Sequence, residues 1–273
     1  MEASSPWSPL GLWAQIQRPV IGMLHAPALP GAPRNALPFR DIIEFVLRDA
    51  EALVTGGVDG LMLENFGDAP FFPDAVPPAT VAQLAILADR VRQRFDQPLG
   101  INVLRNDARS ALAIAQTAGA QFIRVNVLCG ARVTDQGVIA GAAHDLLRAR
   151  NVASSAPIAI FADVDVKHSS PLGIPRAIAD EVQDLVLRGG ADAVIVSGAG
   201  TGKPVDIDHL REVREACCGR RVLVGSGVST ENIRQLATAA DGFIVGSSLK
   251  QHARIGTAVC IDQVRRLVSL ARD

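Results

Sequence analysis

Gly189-Gly190-Ala191-Asp192-Ala193-Val194-Ile195-Val196-Ser197 reads as the end of a helix, a turn and a short buried strand that closes on a polar residue. Glycine after a helix tolerates the left-handed conformation that stops it. The same cadence recurs at Gly56-Gly57-Val58-Asp59, Gly119-Ala120 and Asp241-Gly242. Working outward from these junctions, apolar runs predict eight strands, at 20–25, 58–64, 99–103, 122–127, 158–167, 193–197, 222–226 and 243–246. Amphipathic stretches predict helices between and after them, at 41–55, 80–95, 107–118, 142–150, 176–188, 207–217, 229–239 and 256–271. Eight alternating units in 273 residues predict an α/β chain folded as a single (β/α)₈ TIM barrel. Residues 1–18 are then an N-terminal extension and residues 19–273 the barrel domain.

The bulk properties narrow the function classes. A net charge of −1 argues against a nucleic-acid binder or a protein held on anionic membranes, both of which need a basic surface. No apolar run approaches the ~20 residues that span a bilayer, so no membrane insertion is expected. The first 18 residues lack a basic start and a long apolar stretch and do not read as a secretory signal. Cys129, Cys217, Cys218 and Cys260 show no Cys-x-x-Cys spacing, and reduced thiols in a cytoplasmic compartment are the simple expectation.

In a barrel of this kind the active site lies at the C-terminal strand ends. Alternate residues of a strand share a face. That rule gathers His25, Glu64, Asn102, Arg124, Asn126, Asp163, Asp165, Lys167 and Ser197 at one end of the barrel, with His168 beside them. The fifth strand is the richest: Ala162-Asp163-Val164-Asp165-Val166-Lys167-His168 alternates charge with valine, which aims Asp163, Asp165 and Lys167 at the barrel axis. Burying such groups is costly unless they pair or do chemistry. Asp163 is a catalytic candidate with a structural alternative as the partner of Arg124. Asp165 and Lys167 are expected to form a general acid/base pair, or Lys167 a Schiff base. Glu64 and His25 are further acid/base candidates. Asn102, Arg124, Asn126, His168 and Ser197 are expected to bind substrate. Asp163, Asp165 and Glu64 as ligands of a divalent metal form a competing reading, weakened by the adjacent lysine. No metal ligand is assigned and no cofactor is required, although a divalent metal stays open.

The last strands look built for phosphate. Val224-Gly225-Ser226-Gly227-Val228-Ser229-Thr230 and Val245-Gly246-Ser247-Ser248-Leu249-Lys250 each lead from a strand toward a helix. The seventh and eighth loops of many barrels hold a phosphate, with glycines letting backbone N–H groups approach it. Gly225, Ser226, Gly227, Gly246, Ser247 and Ser248 are therefore assigned to phosphate. Ser197-Gly198-Ala199-Gly200-Thr201-Gly202-Lys203-Pro204 resembles a P-loop but fails as one. Serine stands where the first glycine belongs, and Pro204 where the magnesium-binding hydroxyl belongs. Gly200, Gly202 and Lys203 remain as anion contacts. Two long proline-stiffened loops, 26–38 and 66–78, are candidate lids, and an insertion at 130–141 follows the fourth strand.

Several motifs together resemble the BtpA/SgcQ family. They are Gly22-Met23-Leu24-His25-Ala26-Pro27-Ala28-Leu29-Pro30-Gly31, Leu63-Glu64-Asn65-Phe66-Gly67-Asp68, Gly100-Ile101-Asn102-Val103-Leu104-Arg105-Asn106-Asp107 and Ala162–Ser169, with the glycine-rich stretches at 197–202 and 224–228. The resemblance runs from about Pro19 to the C-terminus. It implies a barrel akin to the ribulose-phosphate-binding barrels. Members are named for a role in stabilising photosystem I in cyanobacteria and for a place in a sugar-uptake gene cluster, and the family implies no particular reaction. The expected function is an enzyme working by acid/base chemistry on a small phosphorylated or otherwise anionic ligand, a phosphosugar or ribosyl compound. Isomerisation, lyase chemistry and glycosidic cleavage are all open. The alternatives are a non-enzymatic assembly or regulatory factor and a divalent-metal-dependent hydrolase. A homo-oligomer is compatible with all three.

Overall fold

The computed structural model describes residues 11–152, 158–198 and 204–273. Eight parallel strands close into a barrel: β1 (Val20–His25), β2 (Gly60–Glu64), β3 (Leu99–Asn102), β4 (Phe122–Val125), β5 (Ala159–Val164), β6 (Ala193–Val196), β7 (Arg221–Val224) and β8 (Gly242–Val245). Each strand pairs with the next, and β8 closes on β1. The helices are α1 (Phe39–Gly56), α2 (Pro78–Arg92), α3 (Ala108–Ala118), α4 (Ala143–Val152), α5 (Ile178–Gln183), α6 (Ile207–Ala216), α7 (Ile233–Leu236) and α8 (Ile261–Arg272). The single-barrel expectation therefore holds.

Alternation along the strands splits the apolar residues into two cores. Leu61, Leu63, Ile101, Ile123, Val125, Ile160, Ala162, Val194 and Val196 belong to the outer core, where the strands meet the helices. Ile21, Met23, Met62, Phe122, Phe161, Ile195, Leu223 and Ile244 fill the inside of the barrel. Gly100 makes room for this filling, because a Cβ there would lie 2.1 Å from the Phe122 ring. Leu12 and Trp13 complete the inner core. The Trp13 indole meets Phe122 edge-on at 5.6 Å, and its N–H donates to the Asp59 carbonyl at 2.6 Å. The barrel is thus plugged with aromatic side chains at its N-terminal end, and its polar residues lie toward the other.

Four local expectations need correction. The insertion at 130–141 is a hairpin, Ala131–Thr134 against Gly137–Ala140, and Ser169–Pro171 adds a third antiparallel strand. The fifth strand stops at Val164 rather than at residue 167, because Asp165 turns to φ +47. The helix expected at 229–239 is one turn, α7, because Asn232 ties its entry: it accepts from the Ser229 N–H at 2.9 Å and donates to the Gly227 carbonyl at 2.8 Å. The last helix starts at Ile261 rather than 256. Lys250 bridges to Val259, and its buried ammonium pairs with Asp49 at 2.6 Å, which holds the preceding segment as a loop on α1.

The loops after β1, β2 and β3 are stitched into one wall at the C-terminal end. The Leu29 N–H donates to Asp68 at 2.8 Å, and the Leu104 N–H donates to Asn65 at 2.8 Å. The Arg105 N–H donates to the Phe72 carbonyl at 3.0 Å, and the Val76 N–H donates to Asp107 at 2.9 Å. These bonds tie the three loops to one another over the mouth.

Candidate active site

The inward positions next to the strand ends carry the polar residues. His25 and Glu64 lie side by side in the β1–β2 register, and Glu64 lies beside Asn102 in the β2–β3 register. Asn102 donates to the Glu64 carboxylate at 2.5 Å, and His25 Nε2 stands 3.8 Å from its other oxygen. That last pair is not an ion pair, because the imidazole is neutral. Burial drives the His25 pKa down to about 3, and the positive charges of Lys250, Lys167 and Arg124 push the same way. Its Nδ1 is buried without a hydrogen-bond partner, and its ring meets Phe66 edge-on at 4.9 Å.

Across the barrel, Arg124 grips Asp163 with two hydrogen bonds of 2.8 and 2.7 Å. Asn126 donates to the same carboxylate at 2.9 Å and Ser197 at 3.1 Å. Burial pulls the guanidinium pKa down, but the paired Asp163 more than restores it, so Arg124 lies above its ordinary value. Asp163 is therefore fully engaged as the structural partner of Arg124.

Lys167 lies just past the end of β5 and reaches the mouth, where it lines the cavity with Glu64, Phe66 and Arg124. Among the described residues no carboxylate pairs with its ammonium within 4 Å. Burial and then the charge of Arg124 lower its pKa, against the opposing pull of Glu64 and Asp163. Asp165, by contrast, does not join it. Its carboxylate is half exposed and binds Arg132 of the hairpin at 2.8 Å, in a separate rim hollow of about 220 Å³. The expected Asp165–Lys167 pair fails because the positive φ at Asp165 breaks the strand alternation. The ligand set Asp163, Asp165 and Glu64 is not brought together, since Asp163 is held by Arg124 and Asp165 points to Arg132. Among the described residues no three His, Cys, Asp or Glu side chains converge to hold a metal ion.

At the other side of the mouth a narrow cleft of about 40 Å³ is lined by Gly225, Ser226, Gly227, Gly246 and Ser247, with His25 and Lys167. The two glycines Gly225 and Gly246 have a steric role that sequence reading missed. A Cβ on Gly225 would lie 3.2 Å from an Arg124 nitrogen, and one on Gly246 would lie 2.5 Å from the His25 ring. The Gly225 N–H already donates to Val196 at 2.8 Å, and the Ser248 hydroxyl donates to the Val228 carbonyl at 2.7 Å. Those two groups tie the barrel and its seventh and eighth loops together rather than offering donors to an anion. Gly200, Gly202 and Lys203 lie outside the described residues. His168, at φ +59, lines the wider part of the mouth. Sequence reading also missed Arg105 and Phe71, which line that part. Both sit on loops, where strand alternation says nothing, and Arg105 lay within a quoted motif as the polar residue three past Asn102.

Among the described residues no helix is long and apolar enough to cross a membrane. The fold is that of solved TIM barrels at low identity. N-(5'-phosphoribosyl)anthranilate isomerase from Pyrococcus furiosus superposes with a TM-score of 0.57 at 12% identity, covering 93% of this chain and 98% of that one. (S)-3-O-geranylgeranylglyceryl phosphate synthase from Thermoplasma acidophilum, solved with sn-glycerol-1-phosphate, gives 0.59 at 15% identity, covering 95% of each. In sequence, the photosystem I biogenesis protein BtpA of Synechocystis sp. is 49% identical over 251 residues, 92% of this chain and 86% of that protein. An uncharacterized protein of Thermococcus kodakarensis is 46% identical over 257 residues, 94% of this chain and 96% of its own length. The sequence profile of the BtpA family matches residues 16–273. With its barrel, its C-terminal polar mouth and these relatives, the chain belongs to the BtpA family.

Proposed function

We propose that the protein is an enzyme acting by acid/base chemistry on a phosphorylated sugar or ribosyl compound bound at the C-terminal mouth. The observation that carries this reading is the placement of Lys167. It is a half-buried lysine with a lowered pKa and, among the described residues, no paired carboxylate, and it shares a cavity with Glu64, His25 and the narrow cleft. A lysine in that state holds more neutral amine near neutral pH than an ordinary one, as a base or a Schiff-base former requires. Glu64, held by Asn102, is the second proton-transfer group. The neutral His25 offers a hydrogen bond rather than a charge. The cleft at Ser226–Gly227 and Gly246–Ser247 takes the phosphate, and the substrate's reacting carbon lies between Lys167 and Glu64. The names of the structural neighbours, which include a phosphoribosyl compound and a glycerol phosphate, accord with this substrate class. The four free cysteines accord with a cytoplasmic setting.

The test is a panel of sugar phosphates assayed with the wild type and with Lys167→Met, which keeps the bulk and removes the amine. Turnover in the variant is expected to fall at least ~10²-fold, the usual scale for a positioned acid or base, with little change in melting temperature. Borohydride trapping on the wild type then separates a Schiff base from proton transfer. Full activity in Lys167→Met would overturn the assignment and leave Glu64 and His25 as the acid/base pair.

The 49% identity to a protein named for photosystem I biogenesis favours one other reading, a non-enzymatic assembly factor. Under that reading Lys167→Met supports assembly as well as the wild type, and no sugar phosphate is turned over.

A further inference from the structure

The mouth has two ends that share Glu64, Phe66, Arg124 and Lys167. One is the narrow glycine-lined cleft. The other is a wider cavity of about 330 Å³, and its features differ in kind. Phe66, Phe71 and Leu104 give it an apolar, largely aromatic wall. Arg105 gives it a cation that is only 5% exposed.

That arginine is under-used by its own protein. Nη2 donates to the Lys167 carbonyl at 2.6 Å, and no carboxylate among the described residues lies within ion-pairing distance. Burial pulls its pKa below the ordinary guanidinium value, against the more distant carboxylates of Asp163, Asp135 and Glu64. A guanidinium carries five N–H donors, and buried charges in folded proteins are ordinarily paired. Arg124, one strand away, meets that rule with a bidentate carboxylate. Arg105 lines an open cavity instead, and a ligand anion would complete its coordination.

The surroundings narrow the anion. A planar guanidinium fits a carboxylate in the plane of its fork. Aromatic walls suit a flat apolar ring. Asp135 also borders the cavity, and its charge tolerates a monoanion better than a dianionic phosphate. We propose that the Arg105 end of the mouth is a binding subsite for a planar, carboxylate-bearing group, with the carboxylate on Arg105 and the ring against Phe66 and Phe71. This rests on the enzyme reading above and sharpens it: the substrate is a phosphorylated sugar that carries such a group at the end away from its phosphate.

Calorimetric titrations with benzoate, benzamide, acetate and ribose 5-phosphate test the subsite on the wild type, Arg105→Gln and Phe71→Ala. Benzoate is expected to bind the wild type more tightly than benzamide or acetate. Arg105→Gln should weaken benzoate at least ~10-fold, the scale of a charge-assisted hydrogen-bonded pair, and leave ribose 5-phosphate within about twofold. Phe71→Ala keeps the guanidinium and should narrow the preference for benzoate over acetate. It decides the matter if Arg105→Gln does not fold. Undiminished benzoate binding in Arg105→Gln, equal binding of benzamide and benzoate, or no benzoate binding to the wild type would overturn the proposal. Arg105-dependent benzoate binding by a protein that ignores ribose 5-phosphate would keep the subsite and refute the phosphosugar reading instead.

Discussion

Asp163 and Asp165 stand two residues apart and meet opposite fates. Asp163, on the barrel axis, is wholly buried and held by Arg124, Asn126 and Ser197. Asp165, on the rim, is half exposed and shares Arg132 with Glu181. Each forms an arginine–aspartate pair, but the dielectric around it differs. On the axis neither partner can turn to water, so the pair is a structural joint between β4 and β5. On the rim water reaches the half-exposed Asp165 carboxylate, although Arg132 itself is largely covered, so this contact is the weaker of the two. Salt-bridge geometry alone therefore says little about energy here; the depth of the pair decides it.

Substitutions can break or sharpen that contrast. The largest effect is expected from Asp163→Ala, which strands the buried Arg124 charge. Removing one partner of such a pair should cost about 3–5 kcal/mol, read as a lowered denaturation midpoint. A loss below about 1 kcal/mol would mean that water reaches the axis.

A third buried group, His25, sharpens the comparison because burial has left it neutral. Its folded pKa of about 3 lies below its unfolded value of 6.5. Below pH 6.5 the unfolded chain takes up the proton first, so this contribution to stability is complete above pH 6.5 and is lost as the pH falls toward 3. Between pH 6.5 and 5 the wild type should lose about 2 kcal/mol that His25→Gln does not lose, measured as the difference between their denaturation curves. Parallel pH profiles would show that the imidazole is solvated.

The smallest effect is expected from Arg132→Gln at the rim, at most about 1 kcal/mol and diminished further by salt. A larger, salt-insensitive loss would show that the hairpin and the rim acids form a buried joint after all.

The same contrast explains what could be read from the sequence. While the chain is in a strand, alternation holds: Phe122 and Arg124, and Phe161 and Asp163, face inward as their spacing requires. The eight strands and the polar cluster at one end follow from that single rule. It stops where the strand stops. Nothing in Val164-Asp165-Val166 announces that Asp165 will adopt a positive φ, since aspartate with valines on either side is good strand sequence. The hairpin was missed because its strands are four residues each and three of their eight positions are alanine or glycine. Arg105 was passed over because it lies in a loop, where neither period of two nor period of 3.6 assigns a direction.

The aromatic plug bears on the order in which the chain can fold. Trp13 precedes the rings it packs against, Phe122 and Phe161, by more than a hundred residues. Its aromatic contacts cannot form until β4 and β5 exist, and the barrel closes only when β8 reaches β1. During synthesis Leu12 and Trp13 wait for those rings to bury them, and the segment is open to chaperone capture meanwhile. Contacts so distant in sequence also set a slow, topology-limited folding rate. A side chain made early is thus among the last to be secured, and the fluorescence of the buried Trp13 would report barrel closure rather than early collapse.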